Sequence, residues 1–208
     1  MSKVKICGLT RFEDVRAVNA VLPDFCGFVF AEGSRRRVDA KLAAALRAEL
    51  DPRVEAVGVF VNQDPEWIAE LYGQGIIKIA QLHGDEDAQY MRHLKELCGC
   101  SIIKALGVGK ALPLSPGGAD FLLFDTFGPA RGGTGRPFDW TPLDGYTGSP
   151  YFLAGGLTPE NAADAVTRLN PYCVDVSSGV ETDGKKDRNK IANFVSRVKL
   201  LSGSDDID

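Results

Sequence analysis

Eight short apolar runs, each followed by a longer polar or amphipathic stretch, recur along the 208 residues. That alternation predicts an α/β fold with a parallel sheet, because a nearly continuous apolar run suits a strand buried on both faces. Two further observations select the closed form, a compact (β/α)8 TIM barrel: the count of eight strand units, and the lack of any composition break or Ser/Pro-rich linker. Residues 1–208 are expected to form one domain, with 202–208 a frayed acidic tail.

The first run, residues 4–8, leads to Thr10, the expected N-cap of a helix over 11–21, with Glu13 completing a capping box. The second, 25–30, precedes an Ala- and Leu-rich helix over 39–50. After the third, 56–61, Asp64 and Pro65 supply a cap and a first-turn proline for a helix to Tyr72. The fourth, 76–83, is followed by a helix over 85–97. Between the fifth, 101–107, and the sixth, 121–125, stand Pro113, Pro116, Gly117 and Gly118, so helix five is expected to be short or missing. GPARGGTGRPFDW after the sixth run is a glycine-rich loop, and helices over 158–169 and 187–201 follow the seventh run, 151–156, and the eighth, 173–179.

Composition narrows the function. Apolar residues make up 44% and charged residues 25%, average for a globular chain, which excludes disordered and fibrous classes. A net charge of −4 gives a poor surface for a phosphate backbone, so no nucleic-acid partner is expected. No run of about 18 apolar residues offers a membrane span, and the charged start MSKVKICGLTRFEDV does not resemble a secretory signal. Five cysteines, of which only Cys98 and Cys100 are close, suit neither a disulfide framework nor a zinc site. Free thiols in a reducing cytoplasm, with no metal, are the expectation.

A barrel of this class carries its active site at the C-terminal ends of its strands. The residues that end the runs there are Cys7, the 34–37 stretch, Asn62, His83, Asp125, Gly155-Gly156 and Ser177-Ser178-Gly179. Each alone has a packing explanation: Cys7 as a small hydrophobe, His83 as a hydrogen-bonded core residue, Asp125 as a turn cap. A titratable or anion-binding group at nearly every strand end is harder to derive from packing. Gly155, Gly156, Ser178 and Gly179 suit a phosphate, which these barrels commonly hold on backbone N–H groups after strands seven and eight, and Gly133 and Gly135 offer further donors. Strand parity puts Lys5 and Cys7 on one face and Cys173, Asp175 and Ser177 on another, so closure would pair Lys5 with Asp175 inside the barrel, beneath Cys7.

The ordered set KICGLT, GFVF with S-x-R at Ser34 and Arg36, VGVFVN, QLHG, LLFDT, GGTGRPFDW, LAGGLTPEN and DVSSGVE, over residues 3–200, resembles the phosphoribosylanthranilate isomerase family. The resemblance implies an Amadori rearrangement of N-(5-phosphoribosyl)anthranilate in tryptophan biosynthesis, without cofactor, in a cytoplasmic monomer or homodimer that meets only a small phosphosugar-anthranilate. By the same resemblance Cys7 is the general base, Asp125 the general acid, and Arg36 the grip on the anthranilate carboxylate. His83 and Asp175 line the pocket, and Gly155, Gly156, Ser178 and Gly179 hold the phosphate. Arg35 stands where the family usually has proline or lysine, and Arg37 follows, so three arginines compete for the carboxylate. A thiol near its ordinary pKa of ~8.5 and a carboxyl near ~3.9 are both wrong for these roles, and Lys5 is expected to pull Cys7 down.

Other readings fit less well. A histidine-pathway aminoaldose isomerase would carry an aspartate at the ends of strands one and five, where this chain has Cys7 and none. A non-catalytic phosphosugar-binding barrel would be free to lose Cys7 or Asp125, and both are present.

Overall fold

Eight parallel strands close on themselves in the computed structural model, which describes residues 2–108, 112–125 and 140–201. They are β1 (Lys3–Cys7), β2 (Phe25–Val29), β3 (Glu55–Phe60), β4 (Ile79–Leu82), β5 (Ser101–Gly107), β6 (Phe121–Asp125), β7 (Tyr151–Leu153) and β8 (Cys173–Val176). The described helices are α1 (Phe12–Val21), α2 (Ala40–Glu49), α3 (Pro65–Gly73), α4 (Ala88–Cys98), α5 (Ala162–Leu169) and α6 (Arg188–Leu200). A two-stranded ribbon, β9 (Glu181–Thr182) with β10 (Lys185–Lys186), follows β8. The expected (β/α)8 barrel is present, and residues 112–120 between β5 and β6 hold a bridged turn and no helix.

Alternation along each strand sorts the core into layers. Outward residues such as Val4, Ile6, Cys26, Phe28 and Leu122 join the helices in one continuous apolar shell. Inward residues Phe25, Val57, Ile79, Ile103, Leu123, Phe152 and Cys173 plug the N-terminal half of the barrel. Phe121 stacks on Tyr172 with centroids 4.8 Å apart, and the Lys3 Nζ stands 5.0 Å over that ring, sealing the bottom. The inward polar side chains Lys5, Gln81 and Asp175 lie above that plug.

The helix starts depart from the sequence expectation where a cap side chain has another task. At α1 the cap is Arg11, not Thr10, and Asp14 replaces Glu13 as the reciprocal acid. Its buried Oδ2 accepts from the Thr10 and Arg11 N–H groups at 2.9 and 3.1 Å. Helix α4 begins three residues later than expected because Glu86 turns back to accept from the Asn62 and Gly84 N–H groups, leaving Asp87 as the cap. Helix α5 begins at Ala162 because Asn161 accepts from the Thr158 N–H and donates to the Gly156 carbonyl, fixing a turn. Gly133, Gly135 and the acidic tail 202–208 lie outside the described residues.

Candidate active site

A cavity of about 700 Å³ opens at the C-terminal mouth of the barrel. Cys7, Arg36, His83, Asp125, Asp175, Gly155, Gly156 and Ser178 all line it. Gly179 does not: a Cβ there would stand 1.9 Å from the Leu157 carbonyl oxygen, so this glycine lets the turn after β8 close against the segment after β7. Cys7, Val29, Ala31 and Val59 form a small apolar cluster on one wall.

A buried polar layer forms the cavity floor. The β1–β8 register sets Lys5 opposite Asp175, and the Lys5 Nζ donates to Asp175 Oδ2 at 3.0 Å and to Gln81 Oε1 at 2.8 Å. Burial opposes the Lys5 charge, but Asp175 and Cys7 outweigh it, so this lysine stays protonated with a raised pKa. Asp175 is 8% exposed, and its Oδ1 has no hydrogen-bond partner among the described residues. A buried carboxylate oxygen without a donor is costly, so Oδ1 is the unsatisfied acceptor of this layer.

The thiol corrects one expectation. Burial pushes the Cys7 pKa up, and the opposing pull of Lys5 and Lys186 does not overcome it. Lys5 acts in the expected direction, but loss of hydration is the larger effect.

His83, at the end of β4, faces Asp125 at the end of β6, with Nε2 3.5 Å from Oδ2. The imidazole pKa is lowered, first by burial and then by Lys5. Its Nδ1 lies 3.1 Å from the Gln81 side-chain nitrogen. Gln81 was legible only as part of QLHG; sharing a strand face with His83, two residues on, is the signal that places it in the cavity wall.

Of the three arginines only Arg36 lines the cavity. Its Nε and Nη2 donate to Glu181 at 2.6 and 2.9 Å, a two-point grip that leaves the Nη1–Nη2 edge available. Arg35 also reaches Glu181, at 2.7 Å, from an exposed position, and Lys186 does so at 2.8 Å. Burial opposes the Glu181 charge, but donation from Arg36 and Lys186 prevails and holds its pKa at about 2. Glu181 and Lys186 are missed by sequence reasoning; the one available signal is that Glu181 ends the DVSSGVE motif.

After β7, Gly155 and Gly156 both have positive φ, 84° and 64°, a pair of left-handed residues that glycine adopts without strain. Successive N–H groups in such a turn form a concave anion cradle. A second hollow of about 500 Å³, between Arg11, Arg16 and Arg188, lies apart from the residues that line the barrel mouth.

A closed barrel of eight parallel strands, with its acids, thiol and glycine rim gathered at the C-terminal mouth, defines a (β/α)8-barrel enzyme. Comparison with known proteins specifies which. The sequence model of N-(5'phosphoribosyl)anthranilate (PRA) isomerase matches residues 4–197. The N-(5'-phosphoribosyl)anthranilate isomerase of Endomicrobium trichonymphae is 48% identical over 202 residues, 97% of this chain and 100% of that protein. The phosphoribosyl anthranilate isomerase crystal structure from Thermotoga maritima superposes with a TM-score of 0.84 at 37% identity, covering 97% of this chain and 100% of that one. Another, in complex with reduced 1-(o-carboxyphenylamino)-1-deoxyribulose 5-phosphate, gives 0.83 at 36% identity, with coverage of 97% and 100%. The chain belongs to the N-(5'-phosphoribosyl)anthranilate isomerase family and is an isomerase.

Proposed function

We propose that this chain converts N-(5-phosphoribosyl)anthranilate to 1-(2-carboxyphenylamino)-1-deoxyribulose 5-phosphate in cytoplasmic tryptophan biosynthesis, with Cys7 as general base and Asp125 as general acid. The observation that carries the reading is that Cys7 and Asp125 share one cavity with the Arg36 guanidinium and a pair of left-handed glycines. The phosphate rests on the backbone of Gly155, Gly156 and Ser178. The anthranilate ring lies against Val29, Ala31 and Val59, with its carboxylate on the open edge of Arg36. A ribose hydroxyl donates to Asp175 Oδ1.

Asp125 protonates the furanose ring oxygen, and the bond from that oxygen to C1′ breaks, leaving an iminium. Cys7 removes the C2′ proton to give the enolamine, which gains a proton at C1′ and loses one from the C2′ hydroxyl to become the ketone. The raised thiol pKa makes thiolate the minor form at neutral pH in the free enzyme. The iminium is a cation formed beside the thiol, and it draws that pKa down at the step that needs the base. Turnover of the phosphoribosylated amine, together with growth rescue of a tryptophan auxotroph lacking this one step, tests the reading. Failure of both would refute it.

A further inference from the structure

The polar side chains of the cavity floor and wall form a chain of donors and acceptors whose direction is fixed at one end by a charge. We propose that Gln81 is a positioning residue: held by Lys5, its amide keeps His83 in the neutral Nε2–H tautomer, so that His83 presents Asp125 with a donor and takes no proton from it. The inference deepens the proposed mechanism and rests, for its catalytic consequence, on Asp125 being the acid.

An ammonium can only donate. Lys5 Nζ lies 2.8 Å from one end of the Gln81 amide, so that end is the carbonyl oxygen. The other end is then the NH2 group, which also only donates, and it lies 3.1 Å from His83 Nδ1. Nδ1 must accept, which places the ring proton on Nε2, the nitrogen 3.5 Å from Asp125 Oδ2. Adding a second proton to the ring would set an N–H against the amide NH2. Among the described residues, Lys5 and Lys104 oppose an imidazolium, while Asp175 and Glu86 favour it. Burial sides with the lysines, and the net effect lowers the His83 pKa. When Asp125 releases its proton to the ring oxygen it becomes a carboxylate, and the Nε2–H is already aimed at it. Because the imidazole takes no proton, the one on Asp125 is left for the substrate.

Nitrogen NMR of the ¹⁵N-labelled enzyme tests this directly. The chain has two histidines, and His93, which is exposed and paired with Glu66, is assigned by its loss in His93→Gln. His83 is expected as a single Nε2–H tautomer that gains its second proton only below the pH at which an unperturbed histidine does. An Nδ1–H tautomer, a mixture, or titration at the ordinary midpoint would overturn the proposal. In Gln81→Glu a carboxylate accepts from both Lys5 and His83, so the imidazole should gain its second proton and its pKa should rise above the ordinary histidine value, into the neutral range. The neighbouring cation would then hold Asp125 ionised, moving the falling limb of kcat to lower pH and cutting kcat about tenfold at neutral pH, with KM within about twofold. A Gln81→Glu enzyme whose His83 signals do not move overturns the proposal, even if its activity falls. If the His83 signals shift as expected while the kcat limb stays fixed, the positioning stands and the assignment of Asp125 as the acid fails. The wild-type spectrum decides the tautomer even should Gln81→Glu not fold.

Discussion

Replacing Glu181 with glutamine removes the one negative charge on which Arg36, Arg35 and Lys186 converge. The carboxylate side chain is 5% exposed and holds a pKa of about 2 where 4.5 is ordinary. At ~1.36 kcal/mol per pKa unit that depression is worth roughly 3.4 kcal/mol, which solvent screening around exposed Arg35 reduces to about 2–3 kcal/mol. Breaking one side of a fully buried ion pair costs ~3–5 kcal/mol, so a partly screened hub falls at or below the lower end of that range. A depressed carboxyl pKa stabilises the fold above the unfolded value, and the contribution is lost as pH falls from 4.5 toward 2. Glu181→Gln should therefore lower Tm by about 5–10 °C at neutral pH, and the gap from wild type should close across that acid window. Arg36, freed of its anchor, should raise KM several-fold at roughly constant kcat. Thermal denaturation at a series of pH values and steady-state kinetics supply the measurements. A variant with wild-type Tm at neutral pH, or a gap that does not narrow in acid, would refute the hub assigned to Glu181.

Arg36→Lys keeps the charge but not the planar fork, and should weaken substrate binding by roughly 2–3 kcal/mol, read mainly in KM. A larger effect from Arg35→Ala or Arg37→Ala would move the carboxylate site. Gly156→Val puts a branched side chain where φ is 64° and should raise KM far more than Ser178→Ala, with inorganic phosphate competing against substrate in the wild type; equal effects would count against a backbone cradle. Asp125→Asn keeps the shape without the proton and should cut kcat by ~10²-fold or more with little change in KM. Near-normal turnover would remove Asp125 from the acid role.

The barrel and the strand-end residues were legible because both follow from local pattern. Buried parallel strands read as apolar runs, and a two-residue alternation is enough to place Lys5 under Cys7 and opposite Asp175 once the barrel closes. Contacts between residues far apart in sequence were not legible. Glu181 meets Arg36 across 145 positions, and nothing local distinguishes that carboxylate from the surface acids around it. The same limit explains the helix starts: Glu86 and Asn161 were spent on tertiary and turn contacts that propensity does not see. The direction of the Cys7 shift also depends on packing from every side, so the visible neighbour, Lys5, suggested the wrong sign.

The central claim is that the Cys7 thiolate removes the C2′ proton. The most direct test measures kcat for wild type and Cys7→Ser with substrate carrying protium or deuterium at C2′. A serine hydroxyl is a poor base near neutral pH, so kcat should fall by at least ~10²-fold, and deuterium at C2′ should slow the residual reaction as proton abstraction becomes limiting. A Cys7→Ser enzyme with near-normal kcat would contradict the account and pass the base role to another group at the cavity wall, Asp175 first among them.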